Sequence, residues 1–128
     1  MGFLDDHRDK LYAVLRIVAG FLFLWHGSQK LFGWPGGGGG DAPALITYVA
    51  GPIELVGGAL LLVGLLVRPV AFLCSGLMAA AYWMAHGTNA VLPIMNRGEL
   101  AMLYCFLFLF IAAEGAGIWS IDNRGKAG

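Results

Sequence analysis

Residues 45–67, LITYVAGPIELVGGALLLVGLLV, constrain this chain more than any other stretch. They contain one ionisable side chain, Glu54, near the middle. As a helix the segment reaches ~34 Å, enough to cross the ~30 Å hydrocarbon layer of a bilayer. A carboxyl at such depth costs roughly 2.5 kcal/mol or more to insert. Glu54 is therefore expected to face other helices or a wet cavity, and the rest of the chain must supply that lining. Pro52 lacks an N–H for the carbonyl of Tyr48, which predicts a kink and a free carbonyl close to the carboxyl. Gly51, Glu54, Gly57, Gly58 and Leu61 share one helical face, so small residues flank the acid and admit a second helix closely.

The remaining sequence fits that requirement. It is 59% hydrophobic and 12% charged, the composition of a polytopic membrane protein rather than of a soluble domain. A formal net charge of zero leaves no electrostatic footprint for nucleic acid. Cys74 and Cys105 lie in apolar segments at different depths and form no CxxC, which argues against a disulfide framework or a zinc site. The start, MGFLDDHRDK, has no apolar core with a cleavage site, so the first hydrophobic segment is expected to act as the insertion signal.

Hydropathy divides the chain into four spans, residues 11–32, 45–67, 69–86 and 98–119. Between them lie a glycine-rich loop (33–44), a turn at Val67-Arg68-Pro69 and a loop at 87–97. The expected fold is all-α, a four-transmembrane-helix bundle in which residues 1–128 form one domain. Arg8, Lys10, Arg16, Arg68, Arg124 and Lys126 fall on one side, with Lys30 and Arg97 on the other. That asymmetry predicts both termini in the cytoplasm.

Helical rise places His26 ~9 Å and Glu54 ~14 Å below the outer ends of their spans. Lys30 shares a helix face with His26, His86 closes the third span, and Glu99 opens the fourth. Asn96 and Arg97 lie at the same level. Arg16 and Glu114 sit at matched depth in the other half and are expected to form a structural ion pair. Snorkelling to the interface accounts for Lys30, Arg97 and His86. It does not reach His26 and Glu54, which point instead to a cavity open to the outer face, with Tyr82 and Trp83 along its wall. The ligand- and proton-handling candidates are Glu54, His26, Lys30, His86, Asn96 and Glu99. A quinone, planar and apolar, suits an aromatic pocket with a His and a Glu for proton exchange. Haem ligation by His26 and His86 is disfavoured by their different depths. No spacing is specific for a metal, and no residue is assigned a catalytic role.

Three stretches together resemble the DoxX family of small four-helix bacterial membrane proteins: RIVAGFLFLWHGSQKLFG, GPIELVGGALLLVGLLVR and NRGELAMLYCFLFLFIAAEGAGIWSID. Arg16, Gly20, Gly27, Lys30, Glu54, Gly57, Gly58, Gly64, Asn96, Gly98, Glu99, Gly115, Gly117 and Asp122 look like its recurrent positions. The resemblance implies a multi-pass protein of the bacterial inner membrane, tied to membrane-associated oxidoreductase complexes, quinones and thiol stress. The expected function is an accessory protein or subunit of such a redox system, with partner subunits or further copies of itself in the bilayer. Two other classes remain open: a small-molecule transporter or permeability protein, which in so short a chain requires a dimer, and a ligand-free assembly scaffold with a dry interior.

Overall fold

Glycines and prolines set where each helix starts and stops. The computed structural model describes residues 2–36, 44–85 and 89–125, and every regular element among them is helical. A short α1 (Gly2–Asp5) precedes α2 (Arg8–Phe32), which begins three residues before the expected first span. Gly33 ends α2 in the left-handed region (φ 66°) and returns its N–H to the Gln29 carbonyl. The next span opens as a π-helix (Ile46–Ala50) and continues as α3 (Gly51–Val63). The wider π winding directly precedes Pro52, where the missing N–H leaves the regular i→i−4 ladder incomplete. The turn expected at residues 67–69 falls earlier. Gly64 (φ 77°) and Leu66 (φ 55°) reverse the chain, and α4 (Val67–Ala85) holds Pro69 inside its first turn.

Within the loop expected at 87–97, Pro93–Asn96 forms a single helical turn, α5. The last helix, α6 (Glu99–Glu114), is shorter than the expected 98–119. Gly115, Gly117 and Trp119 all have positive φ, which no right-handed helix accommodates. Among the described residues, three helices are long and apolar enough to cross a membrane: Arg8–Phe32, Ile46–Val63 and Val67–Ala85. The 16 residues of α6 rise only ~24 Å, less than the hydrocarbon layer.

The helices pack as two antiparallel pairs. In the α2/α3 pair, backbone meets backbone. A Cβ on Gly20 would stand 2.6 Å from the Gly58 carbonyl, and one on Gly27 would stand 2.6 Å from the Gly51 carbonyl and closer still to the Leu55 nitrogen. In the α4/α6 pair, Arg68 reaches the Ala112 and Ala113 carbonyls, Ser75 donates to the Cys105 carbonyl, and Gly98 lies under the Tyr82 ring. Phe23 of α2 joins the two pairs, with its ring 4.7 Å from Phe108 and 5.2 Å from Tyr104. Val18, Leu22, Leu73, Leu103 and Phe106 are exposed on the outer faces, where lipid would cover them.

Candidate functional site

The glycine seam of α2/α3 decides where charge goes. With Gly27 against Gly51, the last turn of α2 lies on the first turn of α3. Lys30 Nζ then meets Glu54 Oε1 at 2.8 Å. The Glu54 side chain is 2% exposed and that of Lys30 20%. Glu54 is thus turned away from lipid, as its insertion cost requires. Lys30 holds one carboxylate oxygen. The other has no hydrogen-bond partner among the described residues.

Beside this pair lies a cavity of about 420 Å³ at the end of the bundle opposite the termini, here the loop end. It forms where the two helix pairs diverge, between the π segment, the last turns of α2 and α4, and the start of α6. Its polar groups are His26, Lys30, Glu54, Arg97 and Tyr104, and its apolar wall includes Leu77, Met78, Met84 and Leu100. His26 is half-buried, with its ring edge-on to Tyr104 at 6.0 Å. Neither the imidazole nor the Tyr104 hydroxyl has a hydrogen-bond partner among the described residues. A concave, largely apolar space of this size with a few convergent polar groups has the ordinary character of a small-molecule site.

The structure brings together three of the six ligand- and proton-handling candidates: Glu54, His26 and Lys30. Glu99 is exposed at the start of α6 and does not line the cavity. Asn96 is buried and turned elsewhere. Its Nδ2 donates to the Tyr82 hydroxyl (3.0 Å) and the Ala90 carbonyl (3.1 Å), and its Oδ1 accepts from the Gly98 N–H (2.8 Å). Tyr82 is held by that contact and Trp83 is exposed, so neither supplies the expected aromatic wall. Tyr104 and Phe23 supply it instead. His86 lies outside the described residues. Arg97 and Tyr104 were not among the candidates. The signal for Tyr104 was its position about one helical turn from Ala101 and Phe108 on one face of α6, which reads as core until the divergence of the pairs is known.

The opposite end, where the termini lie, corrects the expected Arg16–Glu114 ion pair. Arg16 is fully buried and donates to four backbone carbonyls: Leu61 (2.8 Å), Leu62 (3.2 Å), Ile118 (3.3 Å) and Trp119 (2.8 Å). Glu114 is exposed and makes no ion pair among the described residues. A helix leaves its last four carbonyls without intrahelical partners, and α3 shows where they go. Leu60 accepts from Gly64 and Leu65, Leu61 and Leu62 accept from Arg16, and Val63 accepts from Ile121. Arg68 does the same for α6, and the Asp122 carboxylate accepts from the Leu66 and Val67 N–H groups that begin α4. A cation at a helix C-terminus and an anion at an N-terminus also suit the helix dipoles. Among the described residues, Arg16 Nε is left buried without a partner.

The described residues contain no group of three His, Cys, Asp or Glu side chains placed to hold a metal. Among curated proteins, the chain is 42% identical over 130 residues to an uncharacterized protein of Haemophilus influenzae, with 97% of each chain covered. It is 28% identical over 113 residues to a Bacillus subtilis protein described as "Putative oxidoreductase CatD", covering 85% of this chain and 82% of that one. No solved structure matches. The DoxX family model matches residues 11–87, which include the whole glycine seam and the Lys30–Glu54 pair. With its apolar helices, this makes the chain a multi-pass membrane protein that belongs to the DoxX family.

Proposed function

We propose that this chain is a four-span accessory subunit of a redox system in the bacterial inner membrane, and that its loop-end cavity takes a quinone-like ligand. The observation that carries the reading is the cavity itself: apolar walls closing on a Lys–Glu pair that, among the described residues, is hydrogen-bonded through one carboxylate oxygen. A quinone accepts electrons together with protons. The electrons come from a partner redox subunit. The carboxyl of Glu54 exchanges the proton, Lys30 offsets the charge that appears or disappears, and His26 and the Tyr104 hydroxyl are placed to hydrogen-bond the ring oxygens. The description of the Bacillus subtilis relative supports the redox setting at that coarse level.

Residues 115–119 complete the fourth crossing begun by α6. Irregular backbone is tolerated at membrane depth where protein satisfies it. Arg16 and Tyr12 supply that satisfaction, with the Tyr12 hydroxyl donating to the Gly115 carbonyl at 2.6 Å. Four crossings return the C-terminus to the side of the N-terminus. Arg8, Lys10, Arg16, Arg68 and Arg124 favour that side as cytoplasmic. The cavity then faces outward.

Equilibrium titration of the purified protein with 2-methyl-1,4-naphthoquinone in a nonionic detergent tests the ligand reading. Saturable quenching of tryptophan fluorescence is expected, and Ala81→Trp, which fills the cavity, should abolish the saturable component. Quenching that rises linearly with concentration, or that survives the filled cavity, would leave the chain a scaffold.

A further inference from the structure

We propose that Arg97 makes this cavity selective for amphiphilic monoanions, with the anionic group held at the cavity mouth and the apolar body inside. The inference rests on the reading of the cavity as a ligand site and adds the class of ligand it prefers.

Four observations lead to it. Arg97 lines the cavity, and its guanidinium has neither a hydrogen bond nor an ion pair among the described residues. The charges on the lining do not cancel. Lys30 and Glu54 neutralise one another at 2.8 Å, which leaves the charge of Arg97 uncompensated among the described lining residues. Its backbone is built rather than loose. Arg97 sits in the left-handed region (φ 63°, ψ 22°), where a residue with a Cβ is strained. Its N–H donates to the Pro93 carbonyl, and the next residue is fixed by the Gly98 N–H to Asn96 Oδ1, from an Asn96 that is itself buried against Tyr82. Arg97 thus closes α5 as its C-cap, and its side chain is exposed at the cavity mouth. Finally, the wall beyond the mouth is apolar, through Leu77, Met78, Met84 and Leu100.

A neutral quinone has no need of an uncompensated cation. A ring bearing one ionised hydroxyl or carboxylate does, because a planar guanidinium binds such groups through paired charge-assisted hydrogen bonds. The low dielectric of the walls strengthens that attraction. An anionic lipid with a single charge on its headgroup has the same chemistry.

Two matched probes separate charge from shape. At neutral pH 2-hydroxy-1,4-naphthoquinone is an anion, and 2-methoxy-1,4-naphthoquinone is neutral. Calorimetric titration of the full-length protein in a nonionic detergent should give ~10-fold tighter binding of the hydroxy compound, as one charge-assisted contact implies. Arg97→Gln should weaken the hydroxy compound by a similar factor and leave the methoxy compound nearly unchanged. Arg97→Gly should do the same, and since glycine is at ease at this φ, a folding defect would not account for the loss. Equal affinity for the two probes, or equal weakening of both in the variants, would overturn the anion preference and leave the cavity reading standing. If neither probe binds, both fall. Nanodiscs of phosphatidylcholine with and without phosphatidylglycerol identify the occupant. Unchanged hydroxy-probe affinity assigns Arg97 to a diffusing ligand, and competitive loss assigns the same monoanion site to a lipid headgroup.

Discussion

Helix α2 carries one partly or fully buried cation toward each end, and the two are treated in opposite ways. Arg16 lies where the termini gather and gives four hydrogen bonds to backbone carbonyls of two chain segments. Lys30 lies at the loop end, meets a single carboxylate oxygen, and borders a cavity. Around Arg16 the ends of three helices are closed: Arg16 and Ile121 on α3, Arg68 on α6, Asp122 on α4. Around Lys30 the second Glu54 oxygen, the His26 imidazole, the Tyr104 hydroxyl and the Arg97 guanidinium have no hydrogen-bond partner among the described residues. Arg97 is exposed and the other three reach the cavity, so these groups are open to solvent or to a ligand, whereas the buried atom without a partner among the described residues is Arg16 Nε. One end of the bundle is a lock made of caps. The other leaves hydrogen-bonding groups open among the described residues, as the proposed ligand site requires.

The lock should fail most severely. Arg16→Met removes hydrogen bonds to four carbonyls, that of Leu61 buried and the others part-buried, and should cost on the order of 3 kcal/mol, read as loss of folded protein on heating in detergent. Arg16→Lys should recover little of it, since a point ammonium does not span the carbonyls of two chain segments. A mild effect of Arg16→Met would mean that the caps are incidental.

The seam between the two ends should come next. A side chain at Gly27 would collide with the backbone of Leu55 and Gly51, and neither can step aside as a flexible side chain would. Gly27→Val is expected to cost about 1–3 kcal/mol by overpacking. Because the collision lies beside Lys30 and Glu54, it should also weaken ligand binding by parting them. Stability lost with binding intact would separate the seam from the site.

The smallest effect sharpens the correction to the sequence reading. Glu114 is exposed and Arg16 does not reach it, so Glu114→Ala should shift stability by no more than about 0.5 kcal/mol. Combined with Arg16→Met, its effect should be additive. A double variant appreciably more stable than additivity predicts would restore the ion pair.

What was legible in the sequence, and what was not, follows from the same contrast. Apolar runs and their glycine and proline boundaries placed the helices to within a few residues, except at 115–119, where three positive-φ residues end α6 early. The acid in the middle of residues 45–67 required an interior partner; depth pointed to His26, while Lys30, read as snorkelling to the interface, is the residue that pairs with it. Pro52 signalled the irregular winding that appears as the π segment. The partners of Arg16 were hidden because they are backbone carbonyls, which every sequence contains everywhere and no pattern marks. Depth matching found the nearest opposite charge instead. Asn96 and Glu99 were placed at the right level, but level does not give direction. Asn96 turns back to tie Tyr82 and the loop, and Glu99 turns outward.

The central claim is that Glu54 serves the ligand more than the fold. Glu54→Gln keeps the shape of the side chain and a hydrogen bond to its surroundings while removing the charge and the titratable proton. The decisive measurement follows naphthoquinone binding and thermal unfolding of this variant in the same detergent preparation, with Arg16→Met as the structural control. The account predicts that Glu54→Gln inserts and unfolds near the wild-type temperature, yet loses the proton release or uptake that accompanies binding when titrations are compared in buffers of different ionisation enthalpy. Unaltered proton exchange would contradict the claim, and failure of the variant to insert would assign Glu54 to the fold alongside Arg16.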